Sequence, residues 1–81
     1  MLIGKELHID VFWDEEACVW VATSEDVPGL VTEADTQEDL MKKLRVMLPE
    51  LLELNGVHIG REIPIEVSSK RKELLHLALA C

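Results

Sequence analysis

Eighty-one residues make room for one domain, and a chain this short buries only about 60% of the surface its unfolded form exposes, so its stability is limited. Sixteen acidic against eight basic residues give a formal charge of -8 on a 48% hydrophobic chain, which excludes a disordered polyelectrolyte and favours a globular fold. Met1 to Asp39 carries 11 Asp/Glu and one Lys, whereas Leu40 to Cys81 carries 5 Asp/Glu and 7 Lys/Arg. The acidic half repels phosphate backbones, so direct DNA binding by it is not expected, and a basic protein is the easier partner.

No apolar run approaches the roughly 18 to 20 residues of a membrane span, and MLIGKELHID lacks the charged start and long apolar core of a signal peptide. With only Cys18 and Cys81 and no CxxC, a cytoplasmic protein with reduced thiols is expected.

From Glu6 to Trp13 the side chains alternate, with Leu7, Ile9, Val11 and Trp13 on one face and His8, Asp10 and Phe12 on the other, the period of a strand. After the polar break Asp14 to Ala17, the stretch Cys18 to Thr23 sets Val19, Val21 and Thr23 against Cys18, Trp20 and Ala22. β-Branched and aromatic residues make it a second strand, hairpin-paired to the first. Pro28-Gly29 fits the centre of a type II turn, and Leu30 to Glu33 follows as a short third strand.

Asp35 or Thr36 can cap a helix, with Glu38 or Asp39 three residues on completing a capping box. Within it Leu40, Leu44, Met47, Leu48 and Leu51 recur at three- and four-residue spacing and define the core face. Pro49 is expected to kink or split this helix near Leu48, and Asn55-Gly56 to end it. A connector over Val57 to Arg61 leads to a strand at Ile63 to Val67, whose Pro64 favours a sheet edge. Lys70 to Ala80 is made of helix formers and reads as a helix, with the alternation of Leu75, Leu77 and Leu79 keeping a strand open.

The expected architecture is a single α+β domain over residues 1–81: a three- to four-stranded antiparallel sheet with one main helix packed on it, plus a C-terminal helix or strand. One helix covers one face only. The other, carrying Trp13 or Trp20 according to register, wants a cover from the C-terminal segment, a second copy or a partner. One of the two tryptophans is expected in the core and one at an interface.

The stretch VWVATSEDVPGLVTEADTQEDLMKKL resembles the core of the HicB-like antitoxin domains: an aromatic-Val-Ala strand, an acidic turn, a Pro-Gly corner and a Thr-capped helix. Trp20, Val21, Ala22, Pro28, Gly29, Thr36, Glu38 and Leu40 carry the resemblance, which covers about Lys5 to Val67. LPELLELNG and PIEV point to an uncharacterised branch known only as a domain of unknown function. Leu30, where many HicB proteins have Cys, and Glu33-Ala34, where a Gly is usual, depart from the pattern, and operator binding of the kind full antitoxins make with an added DNA-binding domain is not expected of these 81 residues.

The resemblance implies a partial ribonuclease H-like fold, a homodimer, and the binding and masking of a small basic toxin ribonuclease of the HicA type. Trp20, Glu25, Asp26, Glu33 and Asp35 are then the candidate recognition rim, with Pro28, Gly29 and Thr36 shaping the corner. A stand-alone structural or small-ligand-binding dimer is the alternative. No catalytic site, metal or cofactor is expected. Of Asp10, Asp14, Glu25 and Asp26, only Asp10 lies mid-strand, whereas two-metal chemistry needs converging carboxylates. His8, His58 and His76 lack ligand spacing, no elbow motif surrounds Ser24 or Ser69, and Ser68 to Lys72 reads as a solvated basic cluster.

Overall fold

The computed structural model describes residues 6–56 and 62–78. The connector expected at Val57 to Arg61, with His58, and the terminal Cys81 lie outside the described residues. β1 (Leu7–Asp14) and β2 (Val19–Thr23) form the hairpin, β3 (Val31–Ala34) follows the Pro-Gly corner, α1 spans Gln37–Leu54, and β4 (Ile65–Lys70) closes the sheet. The sheet order is β3-β2-β1-β4. β1 is antiparallel to β2, and β2 to β3, as the short connections demand.

β4, by contrast, runs parallel to β1, with Leu7 facing Ile65 and Phe12 facing Lys70, so the sheet is mixed rather than antiparallel throughout. The reason is topological: a strand after a helix that runs back along the sheet re-enters in the direction of the strand before the helix, and β3 already points the same way as β1. Pro64 falls just before β4 and its carbonyl accepts the Leu7 N–H at 3.0 Å. β4 is the edge strand that a neighbouring proline favours.

The alternation in β1 decides the core. Leu7, Ile9 and Val11 are buried, and register places Ala22 opposite Val11 on the same face. Leu40, Leu44, Leu48 and Leu52 of α1 are buried against this layer, with Met47 and Leu51 partly so. Thr36 caps the helix, its side chain accepting the Asp39 N–H at 3.0 Å, with Glu38 and Asp39 in the first turn. Pro49 does not split α1, which is continuous. Arg45, whose carbonyl loses the N–H that Pro49 lacks, is exposed, so the missing bond does not fall in the core. At the other end Gly56 adopts a φ of +86° and its N–H reaches the Glu53 carbonyl, the glycine stop foreseen at Asn55-Gly56.

The expected C-terminal helix does not form. β4 extends to Lys70, three residues beyond the expected strand, and 71–78 form neither helix nor strand, with every residue exposed. A helix there would find no layer against which to bury its leucines, and a short isolated helix is marginal in water.

Candidate functional site

The corner is held by β1. The β1–β2 ladder ends at Asp10 and Thr23, and the next outward-facing backbone groups, those of His8, are taken by side chains instead. Ser24 donates its hydroxyl to the His8 carbonyl at 2.5 Å, and Asp26 accepts the His8 N–H at 2.8 Å. The same Ser24 oxygen accepts the N–H groups of Asp26 and Val27, closing a local turn. Asp26 also meets His8 Nδ1 at 3.2 Å.

Val27 and Leu30 can then both enter the core while Pro28 and Gly29 stay outside, bridged by the Leu30 N–H to the Val27 carbonyl at 3.2 Å. Gly29 has a φ of +87°, the value required at the third position of a type II turn, and a Cβ added there would meet Leu51 of α1 at 3.5 Å. Pro28 and Gly29 therefore shape the corner and seat it on the helix.

The five candidate rim residues do not form one patch. Glu25 and Asp26 sit beyond the last residue of β2, at one end of the sheet, whereas Trp20, Glu33 and Asp35 lie toward the other. Glu33 is exposed, and its carbonyl holds the Lys43 ammonium. Asp35 lines a shallow open depression with Val19, Ala34, Asp39, Lys42 and Lys43. Trp20 faces α1 and packs against the edge of the core.

Neither tryptophan lies on the open face. Trp13 pairs directly with Trp20, so both project to the helix side, where each is half-buried and their rings lie 5.3 Å apart at 60°. The expected division into one core and one interface tryptophan gives way to a tilted ring pair, both members half-buried. Arg71 covers it, its guanidinium 4.5 Å from the Trp13 ring centre and 6.0 Å from that of Trp20.

The open face is built instead from the alternate positions. Phe12 pairs with Val21, and Val21 in turn with Glu33; Asp10 pairs with Thr23, and Thr23 with Val31. This places Phe12, Val19, Val21 and Val31 together without a layer above them from any described element. Phe12 is 42% and Val31 69% exposed. Asp10, Glu33 and Glu66 flank that stripe and are exposed in their turn, and the exposed Lys70 pairs with Phe12 itself.

Glu66, which no local sequence signal links to β1, lies beside His8 through the parallel β1–β4 register. Glu6, His8 and Glu66 offer donor atoms within 4.8 Å of one another, and all three are exposed. The trio has the donor types a divalent cation takes, but exposed acidic groups commonly lie together without one. No helix of the described residues is long and apolar enough to cross a membrane.

A family model described as a domain of unknown function, DUF1902, matches residues 6–78. The chain belongs to this family. Among solved structures, this DUF1902 chain is similar to a hypothetical protein from the extremely thermophilic bacterium Thermus thermophilus, at 51% identity and a TM-score of 0.67, over 90% of this chain and 100% of that one. No curated protein matches. The expectation of an uncharacterised family is met in DUF1902, and neither match carries an activity.

Proposed function

We propose that this DUF1902 domain is a non-enzymatic protein-interaction module of the HicB-like kind, a homodimer that binds and masks a small basic protein such as a HicA-type toxin ribonuclease. The observation that carries the reading is the open sheet face, where Phe12, Val21 and Val31 form an apolar centre flanked by the acidic residues Asp10, Glu33 and Glu66, with Lys70 as a basic neighbour beside Phe12. Apolar contact at the centre supplies affinity and rim charges supply orientation and choice of partner. A basic partner with an apolar patch is the complement to this surface.

Ser24, Ser69, Asp26 and His8, polar side chains weighed for chemistry, make structural contacts. Ser24 ties the corner to β1, and Ser69 donates to Gln37 Oε1 at 2.7 Å, so each hydroxyl joins two elements. Asp26 holds His8 through two contacts.

The test is co-expression with the product of the adjacent reading frame. A short basic chain should co-purify at low salt and be released as salt rises, because its attraction to exposed carboxylates is screened. Failure of such a basic neighbour to bind at any salt concentration sinks the reading.

A further inference from the structure

The tryptophan pair has an occupant. Trp13 and Trp20 are tilted at 60° with ring centres 5.3 Å apart, and the Arg71 guanidinium lies within cation–π reach of both, 4.5 Å and 6.0 Å from their centres. Lys70, Arg71 and Lys72 are three cations in a row, and alternation turns Lys70 to the open face beside Phe12, which leaves position 71 to the rings. The residue found there is the arginine. Its planar, weakly hydrated guanidinium stacks on an aromatic face, whereas an ammonium is a strongly hydrated point charge.

Arg71 is also loosely tethered. It is the first residue beyond β4, and 71–78 form neither helix nor strand, so its departure breaks no rung of the β1–β4 ladder, which ends at Lys70. Its Nε pairs with Glu73 at 2.8 Å, an ion pair inside the segment that can leave with it. Ring and ion-pair contacts as exposed as these are weak ones. The surroundings favour a cation nonetheless: Asp14, Glu15 and Glu16 follow Trp13 directly, and Glu15 shares an open cleft with Lys72, Glu73 and Leu74.

We propose that Trp13 and Trp20 form a binding site for an arginine side chain of another polypeptide, and that Arg71 is the internal occupant which such an arginine displaces. The occupant is an arginine carried on an exposed, irregular segment, so the ligand is another of the same kind. Carboxylates of the β1–β2 turn steer a basic chain to this end of the sheet. A short tether holds Arg71 at an effective concentration on the order of millimolar, so it competes with the incoming arginine and lowers its apparent affinity. The site lies on the side of the sheet opposite Phe12, Val21 and Val31 and does not rest on the reading of that face.

The chain has two Trp and no Tyr, so its tryptophan fluorescence reads this pair alone. The experiment follows that emission in the full chain and in Arg71→Gln, each titrated with a capped glycine-arginine-glycine peptide and with its lysine counterpart. Arg71 lies outside every helix and strand, so the variant should keep the circular dichroism of the parent. The expected result is emission at longer wavelength in Arg71→Gln, whose rings lose their cover, reversed by the arginine peptide at a concentration about threefold or more below that needed to saturate the parent. The lysine peptide, which meets the same change of net charge, should bind the variant more weakly than the arginine peptide. Identical emission from parent and variant overturns the occupant, and equal affinity of the arginine peptide for both overturns the displacement. Equal binding of the lysine peptide reduces the site to charge attraction and overturns it as an arginine site. Emission of the parent that shifts with its own concentration places Arg71 of a second copy on the rings and overturns the internal occupant.

Discussion

The two faces of the sheet are made by the same strands and have opposite fates. In β1 the odd positions Leu7, Ile9 and Val11 are at most 5% exposed, while Phe12, an even position with a larger apolar side chain, stays 42% exposed. Hydrophobicity alone does not separate them. What separates them is the cover: α1 lies on the odd face, and the even face has no layer above it among the described residues. One face therefore holds the molecule together, and the other is available to hold something else.

That contrast is broken or sharpened by substitution. Leu44 of α1 is completely buried, so Leu44→Ala should lower stability by about 2–5 kcal/mol, a large part of what a domain of this size has, read from urea unfolding. A loss below about 1 kcal/mol would place the core elsewhere.

Gly29→Ala is next. Its added Cβ meets Leu51 at an ordinary 3.5 Å, so the cost arises from the positive φ and should be about 1–2 kcal/mol. An unchanged unfolding midpoint would show that the corner relaxes without the glycine. Thr36→Ala removes the cap on the Asp39 N–H and should cost about 1 kcal/mol, visible as a lower midpoint and lost helix signal at the N-terminal turn.

Smallest in stability, and largest in binding, is Phe12→Thr. Threonine suits a strand, so the fold should lose about 1 kcal/mol or less, while the open face loses its largest apolar side chain.

Much of this contrast is legible in the sequence, and the remainder has identifiable causes. The helix was readable because its signals are local: the Thr36 cap, the leucine spacing and the Gly56 stop all act within a turn or two of the chain. The Pro28-Gly29 corner was readable for the same reason. Pairing of distant segments was not. Nothing near Glu66 announces that it will lie beside His8, because that register depends on a strand entering parallel to β1 after α1.

The tryptophans show the same limit. Alternation places each on a face of its own strand, but only the pairing of Trp13 with Trp20 shows that the two faces coincide. Residues 71–78 illustrate the converse. Their helix-forming composition is real, yet Leu74, Leu75 and Leu77 stay exposed among the described residues, and propensity without burial does not make a helix. The expected rim came apart because residues near in sequence at a strand connection need not share an end of the sheet. Glu25 and Asp26 lie at the end where β2 stops, and Asp35 at the end where β3 stops.

The division of labour between the two faces is tested most directly by titration calorimetry of Phe12→Thr against the basic product of the adjacent reading frame, with the thermal midpoint of the same sample measured alongside. The account predicts an affinity lower by about tenfold or more with the midpoint nearly unchanged, as for an aromatic anchor at an interface centre. Unchanged affinity in a folded Phe12→Thr protein would contradict it.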